Sequence, residues 1–197
     1  MPGLTAKVFR TYNASWTLQV RFYSFYTRIL FYFVYFFQKQ LTALTDASGT
    51  IAAKMLSYNR ANRDVAVLCN HQRAVPKTFD MAMANLEEKI RKKGETIQEA
   101  EKELKAAKKS SSKKVVEQKK KAVVQLKEQL EKLKIQRTDK DENKTIALGT
   151  SKLNYLDPRI SVAWCKKHEV PIEKVYTKTH RQKFMWAINM AGPDYEF

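Results

Sequence analysis

The sequence contains few of the residues that build disulfide, metal and phosphate-loop sites. Its 197 residues include two cysteines, three histidines and five glycines. Cys69 and Cys165 lie far apart and neither belongs to a Cys-x-x-Cys pair, which argues against a disulfide scaffold or a structural zinc site and suits a reducing compartment. There is no glycine-rich phosphate loop and no His-Glu-x-x-His motif. Nucleotide hydrolysis and metal-assisted hydrolysis therefore have little support.

Acidic residues are also scarce relative to basic ones. The sequence has 37 Lys+Arg against 20 Asp+Glu, which gives a net charge of +17. An excess of this size in a chain of this length indicates a polyanionic partner. Nucleic acid and an anionic membrane surface are the two candidates.

Residues 80–145 have a composition of their own. Up to Lys144 they include no proline, no aromatic residue and one glycine, and 19 Lys+Arg against 13 Asp+Glu give a net charge of +6. Two runs with heptad-spaced apolar residues flank a polar break at Ser110–Ser112, and this pattern predicts an antiparallel coiled-coil hairpin. We interpret the segment as a solvated helical spacer with no chemistry of its own. The apolar positions are Met83, Leu86, Ile90, Ile97, Ala100, Leu104, Ala107, Val116, Val123, Leu126, Leu130 and Leu133.

The parts before and after this segment, residues 1–79 and 146–197, also favour helices. LDPRI and EVPIEK are typical of helix starts, because proline is tolerated in the first turn. Phe184, Ala187, Ile188 and Ala191 form an i, i+3, i+4, i+7 face that must pack against a partner. No segment shows the alternation of a strand. The sequence predicts a mainly α protein.

Three short polar clusters contain the candidate functional residues. They are KVFRTYNAS around Arg10, LCNHQR around His71 and SKLNYLDPR around Tyr155. Each also has an ordinary structural explanation. Arg10 would pair with an acid, His71 would be a hydrogen-bonded core histidine, and Tyr155 would be an aromatic anchor between helices. Composition and spacing do not choose between these interpretations.

Longer motifs favour a functional role for these three residues. The block SKLNYLDPRISVAWCKKHEVPIEKVY resembles the C-terminal active-site domain of eukaryotic type IB DNA topoisomerases. TAKVFRTYNAS and SYNRANRDVAVLCNHQRAVPKTF resemble the end of that family's core domain. The resemblance implies three parts: residues 1–79 as the helical C-terminal part of the catalytic core, 80–145 as the coiled-coil linker, and 146–197 as the small helical active-site domain.

The resemblance also implies a role for each candidate residue. Tyr155 would be the nucleophile that attacks a DNA phosphodiester and leaves a 3′-phosphotyrosine, with no ATP and no metal cofactor. Arg10 would donate to the non-bridging oxygens, and His71 would hydrogen-bond the same phosphate. Lys7 and Asn154 would lie near the DNA at the cleavage site.

Part of the family's active site has no counterpart in this sequence. That site combines two arginines, a lysine, a histidine and the tyrosine, of which one arginine, the histidine and the tyrosine are found here. We therefore expect a monomeric C-terminal part of a longer enzyme, inactive without the missing N-terminal core segment of the same enzyme. Double-stranded DNA is the expected partner, with no membrane partner, and the nucleus the expected compartment, with the mitochondrion as the alternative.

Three rival interpretations remain open. A non-catalytic DNA-binding fragment would differ only in whether Tyr155 becomes covalently linked to DNA. A tyrosine recombinase shares the chemistry, but the long coiled coil fits the topoisomerase pattern better. A membrane-associated basic protein is favoured only by the aromatic stretch described next.

The stretch Val20–Gln38, VRFYSFYTRILFYFVYFFQ, does not fit the resemblance. Arg21 and Arg28 interrupt it, so it is a poor membrane span, which needs about 20 apolar residues. Without it, TYNASWTLQ runs directly into KQLTALTD as one amphipathic helix. Its residues favour T- and A-rich codons, and its two ends can encode donor-like and acceptor-like splice sites. We hypothesise that residues 20–38 are a translated intron with no function.

Overall fold

The computed structural model describes residues 5–23, 45, 48–110 and 112–196. Of the aromatic insert, residues 24–38 lie outside the described residues, and residues 20–23 belong to the end of the first helix. The hypothesis that residues 20–38 are a translated intron therefore stays a prediction.

Helices account for most of the described chain, which confirms the mainly α prediction. Within the described ranges no β-strand forms, and one isolated antiparallel bridge joins Gln72 to Ile146. No helix in those ranges is both long enough and apolar enough to cross a bilayer. The α-helices are α1 (Ala6–Tyr23), α2 (Ile51–Leu68), α3 (Phe79–Ser110), α4 (Lys113–Glu142), α5 (Leu148–Asn154), α6 (Pro158–Lys167), α7 (Lys178–Lys183) and α8 (Met185–Met190), with a 3₁₀ helix at Ile172–Lys174.

The chain forms two compact units. The first combines Met1–Ala74 with Thr145–Phe197, and the second is Val75–Lys144. The first and last parts of the sequence thus share one unit, while the boundaries predicted at residues 79 and 145 stay predictions.

The second unit is a helical hairpin of α3 and α4. α3 ends at Ser110 and α4 begins at Lys113, at the polar break seen in the sequence. Ion pairs between the two helices join Glu103 to Lys119 at 2.7 Å, Glu101 to Lys127 at 2.6 Å and Glu87 to Arg137 at 2.9 Å. The residue numbers fall on one helix as they rise on the other, so the helices are antiparallel. Exposed ion pairs of this kind contribute little to stability, so we attribute the stability mainly to a buried seam that includes Ile97, Ala107 and Val123.

The first unit has its core where α1, α2, α5 and α6 meet. Ala14 of α1, Ala61 and Val65 of α2, and Ile160 of α6 are buried in one cluster. A neighbouring cluster surrounds Trp164 of α6, and a third joins Val162 of α6 to Ala187 and Ala191. These contacts pack α1 and α2 against α6, and Leu153 of α5, the helix that precedes the candidate nucleophile, packs on the cluster around Trp164.

Local sequence explains how the helices of the C-terminal part begin. Asp157 caps α6 by accepting a hydrogen bond from the Arg159 backbone N–H at 2.9 Å, and Pro158 occupies the first turn, as LDPRI predicted. Pro171 of EVPIEK precedes the 3₁₀ helix rather than an α-helix.

The predicted apolar face near the C-terminus is interrupted at Phe184. There α7 ends and α8 begins. Phe184, Ala187 and Ala191 are nevertheless buried, so the apolar face is retained across the break.

Candidate active site

Arg10, His71 and Tyr155 converge in the first unit although they are far apart in sequence. The guanidinium carbon of Arg10 lies 5.7 Å from the centroid of the Tyr155 ring. The imidazole of His71 lies 5.1 Å from the same ring, centroid to centroid, at an interplanar angle of 34°. The phenol therefore has a cation and an imidazole as neighbours.

Tyr155 is held by its backbone on both sides. It caps the C-terminus of α5, where its N–H donates to the carbonyl of Ser151 at 2.9 Å. Beyond it, the buried hydroxyl of Ser15 donates to the Tyr155 carbonyl at 3.3 Å and accepts from the Asp157 N–H at 2.9 Å. The half-buried Tyr155 ring packs on the cluster around Ala14. A residue of α1 thus fixes the turn that carries the phenol.

His71 owes its position to the way α2 ends. Asn70 adopts a left-handed conformation with φ of 56°. The His71 N–H then donates back to the Ala66 carbonyl at 2.8 Å, and the Asn70 N–H donates to the Val67 carbonyl at 3.0 Å. This is the Schellman arrangement, in which glycine is commonest and asparagine is tolerated. It reverses the chain directly before His71.

The side chain of His71 has a buried partner. Its Nδ1 lies 2.6 Å from the hydroxyl of Ser151, which is 0% exposed. Burial and, to a lesser extent, the charge of Arg10 lower the pKa of His71 from its ordinary value. The imidazole is therefore neutral at pH 7, with one N–H and one lone pair.

Two thiols in the same unit are poor alternative nucleophiles. Burial raises the pKa of the Cys69 thiol, and burial raises the pKa of Cys165 to about 12. Because the thiolate is the reactive form, burial makes both thiols weaker nucleophiles than an exposed cysteine.

Lys7 and Asn154 flank the cluster at the surface. Lys7 is exposed on α1, one turn before Arg10 and on the same side of the helix. Asn154 directly precedes Tyr155, is exposed, and donates from Nδ2 to the Thr150 carbonyl at 3.1 Å. The structure thus brings Arg10, His71 and Tyr155 into contact, with Lys7 and Asn154 as their neighbours on α1 and α5.

Three positioning residues were not singled out from the sequence. Ser15 and Ser151 lie inside the motifs TYNAS and SKLNY, and Asn70 lies in LCNHQR. For the two serines, membership of the motifs was the only signal available, because their partners are distant in sequence. The Ser15 bond to Tyr155 spans 140 positions, and the Ser151 bond to His71 spans 80.

The arrangement suits the handling of a phosphate. A phenol with an ordinary pKa near 10 is a poor nucleophile. A guanidinium offers a fixed fork of donors that matches phosphate oxygens and stabilises negative charge as it develops. Within the described ranges, no three His, Cys, Asp or Glu side chains converge as a metal site.

Comparisons with known proteins identify the family of the chain. Residues 1–104 match the catalytic core of eukaryotic DNA topoisomerase I, and residues 127–197 match the C-terminal topoisomerase domain. The human DNA topoisomerase 1 is 59% identical over 204 aligned residues, covering 100% of this chain and 24% of its own. The Drosophila melanogaster DNA topoisomerase 1 is 55% identical over 197 residues, and the human mitochondrial DNA topoisomerase I is 54% identical over 204, each covering 100% of this chain. The matched part is 18% of the length of the Drosophila protein and 31% of the length of the mitochondrial protein.

The chain belongs to the eukaryotic DNA topoisomerase I family, as the motifs around Arg10, His71 and Tyr155 indicated. It spans between 18% and 31% of the length of these curated relatives.

Proposed function

We propose that this chain is the C-terminal part of an ATP-independent type IB topoisomerase that relaxes supercoiled double-stranded DNA. The phenol oxygen of Tyr155 forms a bond to phosphorus while the bond from phosphorus to the 5′-oxygen breaks. The products are a 3′-phosphotyrosine and a free 5′-hydroxyl. Because the phosphodiester energy is kept, the 5′-hydroxyl reverses the step after the duplex has rotated about its intact strand.

The observation that carries this proposal is the placement of Arg10 and His71 beside the Tyr155 ring. Arg10 donates to the non-bridging oxygens as charge builds up on them, a contribution typically on the order of 10²–10³ in rate. His71 donates to the same phosphate. Lys7 and Asn154, exposed on either side, contact the DNA near the cleaved bond.

The proposal includes a protein partner, which is the missing N-terminal core segment of the same enzyme. It would supply the second arginine and the lysine that protonates the leaving 5′-oxygen. α1 supports this with three aromatic side chains at i, i+3 and i+7, Phe9, Tyr12 and Trp16, each at least half exposed. An exposed apolar stripe of this kind is typical of an interaction surface. The completed enzyme would act as a monomer.

The human DNA topoisomerase 1 and the human mitochondrial DNA topoisomerase I match the chain at 59% and 54% identity. We propose the nucleus as its compartment, with the mitochondrion as the alternative. A tagged full-length protein, located by microscopy against nuclear and mitochondrial markers, tests this choice.

The catalytic proposal is tested by adding the upstream core segment of a relative in trans. A DNA substrate that traps the cleaved state should then give a covalent adduct with the wild-type chain. Tyr155→Phe should abolish the adduct while binding to DNA persists. Tyr195→Phe is the matched control, since Tyr195 is a half-buried tyrosine of the same unit.

The outcomes separate the candidate functions. An adduct that survives Tyr155→Phe would assign the nucleophile to another residue. Salt-dependent DNA binding without any adduct, even with the core segment present, would support the rival function, a non-catalytic DNA-binding fragment.

A further inference from the structure

The hydroxyl of Ser151 has one partner in the part of the chain that the structure describes. That partner is Nδ1 of His71, at 2.6 Å. Ser151 is 0% exposed, so water does not satisfy its hydroxyl from the surface. Both the hydroxyl hydrogen and the imidazole nitrogen depend on this contact.

The direction of the hydrogen bond follows from the burial. If Ser151 donated, its hydroxyl hydrogen and the lone pair of Nδ1 would both be satisfied. If Ser151 accepted from Nδ1–H, its own hydrogen would have no acceptor, and a buried orphan donor costs about 1–3 kcal/mol. The donating arrangement is therefore favoured.

The direction of that bond decides which imidazole nitrogen carries the proton. A neutral imidazole has one N–H. With Nδ1 accepting from Ser151, the proton lies on Nε2, which becomes a donor. The opposite tautomer would leave a lone pair on Nε2, which repels a phosphate oxygen instead of donating to it.

Ser151 is also bonded to the nucleophile's own turn. Its carbonyl accepts the N–H of Tyr155 at 2.9 Å and the N–H of Leu156 at 3.2 Å. One buried residue of α5 thus holds the imidazole by its side chain and the phenol by its backbone. A shift of Ser151 would move both groups together.

We propose that Ser151 is a positioning residue whose hydroxyl donates to Nδ1 of His71 and fixes the proton on Nε2, so that His71 presents an N–H to the phosphate at Tyr155. The tautomer stands on the geometry alone. The phosphate role rests on the proposed function, so the two are tested separately.

The tautomer is measured by long-range ¹H–¹⁵N correlation on the labelled chain near pH 8. The sequence has three histidines, and His71→Gln identifies the signals of His71. We expect Nδ1 to have the shift of an acceptor nitrogen in the wild-type chain. Ser151→Ala should give a mixture of both tautomers, and Ser151→Cys, which keeps a donor at this position but a weaker one on a larger atom, should lie between.

Ser161→Ala is the matched control for loss of a buried serine. Ser161 is also 0% exposed and hydrogen-bonds the Tyr58 hydroxyl at 2.8 Å. Its replacement should destabilise the chain and leave the His71 signals unchanged. A proton on Nδ1 in the wild-type chain, or an unchanged tautomer in Ser151→Ala, would overturn the proposal.

The role at the phosphate is measured as the cleavage rate with the upstream core segment added. Ser151→Ala should slow cleavage by about 10- to 100-fold, the size of a small misplacement of a reacting group, with little change in DNA affinity. Because Ser151 acts through His71, adding Ser151→Ala to the His71→Ala variant should cause no further loss of cleavage rate. A multiplicative loss in the double variant would give Ser151 an independent role. No adduct from the wild-type chain would refute the proposed function but not the tautomer.

Discussion

Arg10 acts on two neighbours at once. Its guanidinium lies against the ring of Tyr155, and its positive charge helps to lower the pKa of His71. A second cation so close to Arg10 is unfavourable, which keeps the imidazole neutral. Burial is the larger cause of the lowered pKa of His71, and the charge of Arg10 adds to it.

We predict that Arg10→Met raises the pKa of His71 towards its ordinary value of about 6.5. Burial still disfavours the protonated imidazole in this variant, so the pKa of His71 should return only part of the way. NMR titration of the His71 ring measures it. Lys7→Met removes an exposed charge one turn away and is the matched control, for which a smaller change is expected. An equal rise in both variants would contradict the assignment of part of the lowered pKa of His71 to the charge of Arg10.

The same shift has a consequence for stability in acid. His71 has a lower pKa in the folded chain than in the unfolded chain, so below pH 6.5 the unfolded chain binds the proton first. The free energy of unfolding therefore falls as the pH drops from about 6.5 through the folded pKa of His71. His168, whose pKa is also lowered by burial, acts in the same direction.

At the scale of elements, helix ends determine where functional residues lie. α2 ends in a left-handed Asn70 before His71, and α6 ends in the same way at Glu169, with φ of 54°. After α6, the Val170 N–H donates to the Cys165 carbonyl at 2.9 Å. Asparagine tolerates this conformation, whereas glutamate is strained in it by about 1–2 kcal/mol.

We predict that Glu169→Gly stabilises the first unit by about 0.5–1 kcal/mol, because glycine relieves the left-handed strain at some cost in unfolded-state entropy. Urea unfolding followed by tryptophan fluorescence measures it, since Trp16, Trp164 and Trp186 all belong to this unit. Lys167→Gly, in the last turn of the same helix, should instead destabilise by about 1 kcal/mol. Destabilisation by both variants would show that Glu169 is not strained.

The sequence predicts the helices better than it predicts these ends. Periodicity and Pro158 suffice for α3, α4 and the start of α6, because those signals are local. No local sequence signal marks Glu169 as left-handed, and no sequence pattern predicts that Phe184 separates α7 from α8. The resemblance singled out Arg10, His71 and Tyr155, but the serines that hold His71 and Tyr155 depend on contacts across 80 and 140 positions.

At the scale of the whole molecule, the positive charge is spread over both the hairpin and the rest of the chain in proportion to their lengths. Residues 80–144 carry a net of +6, so 11 of the 17 net charges lie in the rest of the chain. Within the hairpin, Lys119, Lys127 and Arg137 pair with acids on the facing helix. If DNA is the partner, as proposed, 11 of the 17 net charges that attract it lie outside the hairpin.

We predict that Lys7→Gln lowers the salt dependence of DNA binding by about one phosphate contact, a change of roughly 0.9 in the slope of log affinity against log salt concentration. Lys119→Gln removes the same charge from a lysine paired with Glu103 and should change the slope little. Binding titrations from low to moderate salt measure both. Equal slopes in the two variants would indicate non-specific attraction by net charge alone.

The bond between Ser15 and Tyr155 has a consequence for the order of events during synthesis. At about 5–20 residues per second, roughly 7–28 seconds separate the emergence of its two partners from the ribosome. Meanwhile the hairpin, whose contacts are internal, can fold. The Arg73 N–H donates to the Thr145 carbonyl at 2.9 Å, so the chain re-enters its first unit beside the point where it left. A folded hairpin thus shortens the flexible loop that must close before Ser15 of α1 meets Tyr155, and it reduces the entropy lost in closing that loop.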